Sequence, residues 1–214
     1  EAPRALTLEE LGMIVIGLEA AKNHAARLAI LLQMMTGQRR MTVVRARRRA
    51  FVEHPKYGMV WKIGPDKSGK FRVLPLPDLA ASAVRAAQAY GRTGNAWRLR
   101  RKTDPGTGHM SERMLNEVLE ELRAPGGPLA SAPWAATHDL RRAFVTHMRP
   151  RVTTLGLTKE AVPMITRADE GRYGLDETVY DQDPALPDKS LMLEEWDRLI
   201  KEGCAQAEAR LQRP

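Results

Sequence analysis

The sequence predicts a mainly α-helical fold with one small antiparallel β-sheet. Three observations predict it. Apolar residues recur at helical spacing along most of the 214 residues, often between a polar start and a glycine or proline stop. Between about residues 49 and 75 the period shortens, with two β-rich runs flanking a Gly-, Pro- and Lys-containing turn. Hydrophobic residues make up 43% of the chain but aromatics only 5%, which favours a core of Leu, Ala, Val, Ile and Met. That length and composition suit one domain, or one domain with an appendage, and argue against wholesale disorder.

The elements follow in order. Thr7 and Glu10 form a capping box that opens a helix over about 8–21, with Leu8, Ile14 and Leu18 on its apolar side. A second helix runs from about Asn23 to Thr36 with a wide stripe of Leu28, Leu31, Leu32 and Met35, and Gly37 is its C-cap. Six arginines then fall in the eleven residues 39–49. A charge run is usually solvated. Arg39, directly after the helix end, is the candidate for a cleft instead. Met59–Ile63 and Phe71–Leu74 read as strands around the turn 64–70, and Ala50–Glu53 as a first strand. Pro75 and Pro77 end the sheet. An alanine-rich helix covers 78–89, and an arginine-rich loop or frayed strand covers 91–108. A helix from about Ser111 to Arg123 and a loop over 124–135 lead to a helix that begins near Thr137, read as its cap, and stops at Pro150. A short helix over 158–166, a turn or helix around Asp176–Tyr180 and a last helix from about Ser190 to Leu211 complete the chain.

Charge narrows the partners. Lys and Arg number 34 against 26 Asp and Glu, a formal net charge of +8. Such a balance points to a polyanion, either nucleic acid or an anionic membrane. No apolar run approaches the roughly 20 residues needed to span a bilayer, and no basic start with an apolar middle marks a leader. The single Cys204 excludes an intrachain disulfide and any multi-cysteine zinc site. His24, His54, His109 and His147 make no recognisable metal set. The reading is an intracellular, soluble chain with DNA or RNA as partner.

The chemistry-bearing stretch is 136–144. His138 and Arg141 are three apart and share a helix face, so both can grip one anion, one by a directional bond and the other by a fork. The same residues also suit a salt-bridged surface turn, and spacing alone leaves both open. United by a fold with Arg39 and Lys67, they would form a cationic cup suited to a phosphodiester whose charge grows in a pentacoordinate transition state. Such a cup needs a nucleophile, and Tyr180, late in the chain after a polar segment, is the candidate.

These motifs together resemble the catalytic domain of tyrosine recombinases, the phage-type integrases. Thr36-Gly37-Gln38-Arg39 is similar to the family's Thr-Gly-x-Arg. Lys67-Ser68-Gly69-Lys70, followed by Arg72-Val73-Leu74-Pro75-Leu76, resembles its lysine turn and following strand. His138-Asp139-Leu140-Arg141 resembles its His-x-x-Arg box, and Val179-Tyr180 before a Trp196-bearing helix resembles its nucleophile region. Arg4–Leu11 resembles the domain's usual opening. The four motifs stand in the family's order and cover nearly the whole chain.

The resemblance implies a tyrosine recombinase catalytic-domain fold over 1–189. It also implies a C-terminal helical segment, 190–214, packing in cis or on a neighbouring subunit. It implies metal-independent DNA strand cleavage and rejoining through a 3′-phosphotyrosyl link on Tyr180, with no cofactor. Arg39 and Arg141 would hold the non-bridging oxygens, His138 would bind the phosphate and handle the tyrosine proton, and Lys67 would protonate the leaving 5′ oxygen. The implied partners are double-stranded DNA, further copies of the chain in a synaptic tetramer, and accessory bending or directionality proteins. The implied location is cytoplasmic, prokaryotic and DNA-associated. The family's separate N-terminal DNA-binding domain has no counterpart in these residues, so the expectation is a catalytic part of a longer protein.

Two positions depart from the pattern. Thr42 stands where the family has an acidic residue that buttresses the site, and Arg167 stands where it has His or Trp. Arg167 can still donate to a phosphate oxygen, which makes it a sixth site candidate. The departures also fit a second reading, a DNA-binding regulator on the same fold with a weakened or inactive site. Tyr173 is the rival nucleophile, whereas Tyr57 and Tyr90 come too early.

Overall fold

The computed structural model describes residues 4–64, 71–90, 97, 109–111, 113–166 and 183–212. Among them run α1 (Leu8–Leu18), α2 (His24–Thr36), α3 (Arg40–Val44), β1 (Phe51–His54), β2 (Gly58–Ile63), β3 (Arg72–Pro75), α4 (Asp78–Tyr90), α5 (Arg113–Arg123), α6 (Thr137–Met148), α7 (Arg151–Thr154), α8 (Ala161–Thr166) and α9 (Leu186–Leu211). No helix among the described residues is long and apolar enough to cross a membrane.

Helix α2 is the axis of the core. From Leu28 to Thr36 every residue is buried, and α4, α5, α6 and α9 pack around it. Asn23 starts it by accepting from the Ala26 amide at 3.1 Å. Gly37 ends it at φ +61°, where a side chain is strained. Space demands glycine there too, since a Cβ would fall 2.7 Å from the Phe144 ring. The motif glycine is therefore the point where α2 and α6 touch.

Helix α1 carries the expected capping box. The Glu10 amide donates to Thr7 Oγ1 at 3.2 Å, and the Thr7 amide donates to the Glu10 carboxylate at 2.8 Å. The helix stops at Leu18 rather than 21, because the amides of Glu19, Ala20 and Ala21 tighten onto carbonyls three residues back. Helix α9 lies along α1, with Gly12 and Gly203 at the crossing. A Cβ on either would overlap the backbone of the other helix. Trp196 of α9 donates from Nε1 to the Met34 carbonyl at 2.9 Å and meets Phe144 edge-on at 5.4 Å. These contacts seat α9 in the core of its own chain.

The sheet has the order β1-β2-β3, antiparallel throughout. Phe51 pairs with Trp61 and stacks on it at 5.4 Å. Strand β1 starts one residue later than expected, because Arg48–Ala50 form a 3₁₀ turn. Pro75 is the last residue of β3, opposite Val60.

Three further details differ from the sequence reading. Thr137 does not cap α6. Ala136 is the N-cap, and the Asp139 carboxylate accepts its amide at 2.9 Å. The Thr137 hydroxyl donates to Asn116 instead. Beyond Pro150 the chain makes one more turn, α7, with Pro150 as its N-cap. Helix α9 begins at Leu186, four residues early, because Pro187 sits in its first turn, where proline lacks only a bond that no helix makes.

Candidate functional site

Four segments meet at the C-terminal end of α2: the turn 37–39, the start of α6, the end of α8 and strand β3. A chain of buried polar groups joins them. Gln33, in the otherwise apolar stretch of α2 from Leu28 to Met35, donates from Nε2 to the carbonyls of Gln38 at 3.3 Å and Thr137 at 3.1 Å. Gln38 donates to the carbonyls of Thr36 at 3.0 Å and Ile165 at 2.6 Å. Arg72, buried in β3, donates to the Ile165 carbonyl at 2.9 Å and to Gln38 Oε1 at 3.2 Å. Arg141 donates from one nitrogen to the carbonyls of Gly37 and Thr166, both at 2.7 Å.

The physical cause is the end of α8. The last carbonyls of a helix have no partners within it and carry its negative pole. Ile165 and Thr166 present two such carbonyls, and two guanidiniums and an amide satisfy them. Gln33 Oε1 is buried with no partner among the described residues, so the network is one donor short of closure.

Electrostatics in this cluster are unfavourable by design of the packing. Burial, then the fields of Arg39 and Arg72, push the Arg141 guanidinium down to about 10. It remains cationic at neutral pH, but its charge is held where two like charges disfavour it. An anion bound there would relieve all three. Arg39 is the N-cap residue of α3, exposed, with no side-chain capping bond. His138 is exposed on the first turn of α6, one face with Arg141.

Of the sequence-predicted residues, Arg39 lies close enough to Arg141 for their charges to interact, and His138 stands one turn before Arg141 on α6. Arg39 is exposed rather than in a cleft, and the buried arginine of the cluster is Arg72, which is not among the sequence-predicted candidates. Gln33 and Gln38 were also missed as network members. Thr42 is half-buried in α3. Lys67, Arg167, Tyr173 and Tyr180 lie outside the described residues. Their flanks are described. Ile63 pairs with Arg72 on either side of the connection that holds Lys67. Thr166, bound by Arg141, precedes Arg167. Asp183, three residues after Tyr180, accepts from the buried Lys189 ammonium at 2.6 Å, and Lys189 also donates to the Val73 carbonyl at 3.1 Å. Burial pushes that ammonium down despite the carboxylate.

Two of the other histidines hold backbone groups. His54 Nδ1 accepts the Lys56 and Tyr57 amides, and His147 Nε2 bonds the Leu6 carbonyl at 2.8 Å. No group of three or more metal-ligating side chains occurs among the described residues.

Solved structures share this arrangement of elements. The integrase from mycobacterium phage Brujita superposes with a TM-score of 0.60 at 17% identity, over 94% of this chain and 63% of that one. The fold is that of the tyrosine recombinase catalytic domain. A site-specific recombinase, XerH, in a pre-cleavage complex with its difH substrate matches at 0.54 and 17% identity, over 76% of this chain and 50% of that one. XerH in a post-cleavage complex with a palindromic difH substrate gives 0.55 and 16%, over 79% and 51%. The chain therefore spans between half and two thirds of the length of these recombinase-fold proteins. No family model matches the sequence, and no curated protein does.

Proposed function

We propose that this chain is the catalytic part of a site-specific DNA recombinase or integrase that works through a 3′-phosphotyrosyl intermediate. What supports the reading is the charge interaction of Arg39 with Arg141, one helical turn after an exposed His138, in the fold of recombinase catalytic domains. A scissile phosphate of double-stranded DNA binds there. Arg39 and Arg141 hold its non-bridging oxygens, where charge grows as phosphorus becomes pentacoordinate. The Tyr180 phenol oxygen attacks phosphorus, and the bond to the 5′ oxygen breaks. The phenol proton passes by way of His138, and Lys67 supplies a proton to the departing 5′ oxygen. Arg167 adds a further donor to the phosphate. The ester keeps the bond energy, so a 5′-hydroxyl of another strand reverses the step. Two copies on each of two sites make the synaptic assembly, with accessory proteins setting direction.

A nicked suicide duplex tests the proposal. Wild-type protein accumulates a covalent adduct, and Tyr180→Phe gives none. Equal adduct from both would reject Tyr180, and loss of adduct in Tyr173→Phe instead would assign its rival. A second reading, a DNA-binding regulator, draws support from Thr42 in the buttress position and from the Arg141 nitrogen already shared by two carbonyls. It predicts retardation of DNA with no adduct from any substrate.

A further inference from the structure

One large apolar side chain near the site has no duty in the fold. The chain has four tryptophans. Trp61, Trp97 and Trp196 are 1%, 2% and 0% exposed, whereas Trp134 is 66% exposed. Its neighbourhood is organised rather than loose. The Arg123 guanidinium lies over the indole at 5.7 Å. Arg123 is itself fixed by bonds to the carbonyls of Leu119 at 3.3 Å, Pro133 at 3.2 Å and Ala135 at 3.1 Å. One face of the indole is backed by a cation, and the rest is presented to solvent. Trp134 precedes His138 by four residues, which bounds their separation to about 14 Å of extended chain. That is about four base-pair rises of one DNA strand.

We propose that Trp134, backed by Arg123, is a DNA-contact platform beside the phosphate site. The indole packs on the sugar and base edge of duplex DNA a few nucleotides from the scissile phosphate. An aromatic ring serves this partner because the deoxyribose edge of a duplex is apolar whatever its sequence, and such sugar contacts position the protein without reading bases. The net charge of +8 and the exposed Arg39 and His138 nearby bring the polyanion to this side. The contact rests on the recombinase reading for its partner, and it goes beyond that reading in naming a residue outside the reacting set.

The test uses fluorescein-labelled duplex DNA at low salt, with anisotropy for binding and tryptophan emission for the contact. Because the other three indoles are buried, acrylamide quenching reads Trp134. Saturating DNA is expected to cut that quenching several-fold in wild type. In Trp134→Ala, Kd is expected to weaken by about tenfold, and in Trp134→Phe by less than about threefold. Saturated anisotropy with unchanged quenching would overturn the platform alone. Protection that appears on raising protein concentration without DNA would also overturn it, in favour of contact between copies. Absence of any DNA binding would overturn both the platform and the recombinase reading.

Discussion

The α1–α9 crossing and the arginine-lined end of α2 are held together in opposite ways. At the crossing, Gly12 and Gly203 let two backbones touch, and apolar side chains fill the flanks. At the end of α2, amides and guanidiniums bridge carbonyls, and three cations are crowded within reach of one another. The first region gains stability by excluding everything, water included. The second holds repelling charges in place by hydrogen bonds to backbone carbonyls and a buried amide. The contrast separates an apolar crossing from a charged cluster.

The largest expected effect breaks the site alone. Arg141→Lys keeps a charge but loses the planar fork, so adduct formation on a suicide duplex should fall by about 10²–10³-fold. A rate within about threefold of wild type would show that the fork is not used. Gly203→Ala tests the other side. It forces a Cβ into the Leu8 carbonyl, so urea unfolding should show a loss of about 1–3 kcal/mol. The adduct rate per folded molecule should stay unchanged. Gln38→Ala removes two donors and leaves the buried Arg72 without one acceptor, at about 1–2 kcal/mol. Unlike Gly203→Ala, it should also slow adduct formation. Sulfate should sharpen the contrast further. At ten times its Kd it would add about 1.4 kcal/mol to wild type, and clearly less to Arg141→Met.

The smallest effect is a flat line. Burial and its arginine neighbours push Arg141 down to about 10 in the fold, below its ordinary value in the unfolded chain. As pH falls from strongly alkaline values, the unfolded chain takes the proton first, so stability declines toward about pH 10 and is then level. This group should contribute no slope between about pH 6 and 9. A thermal scan across that range in Arg141→Met and wild type should give parallel curves.

Local rules made most of the elements legible. The Thr7–Glu10 box and the Gly37 stop each act through neighbours in sequence, so a pattern reads them directly. The short tight turns at 19–21, 48–50 and 151–154 were missed because no periodicity marks a single turn. Thr137 was read as a cap from its residue type, but Asn116, distant in sequence, takes its hydroxyl. In the site, His138 and Arg141 were legible from their shared helical face. Arg72 was not, because a lone arginine in a strand looks like a solvated edge residue until α8 is placed beside it. Gln33 does leave a signal: one amide inside the apolar run from Leu28 to Met35 must find buried partners.

The α1–α9 crossing has a consequence for engineering. Arg210, one residue from the end of α9, donates to Glu9 at the start of α1 at 2.7 Å. The head and tail of the described chain therefore lie side by side. A short linker can stitch them into a ring, and a new opening at the exposed turn between Pro125 and Gly126 would yield a circular permutant with the same interior.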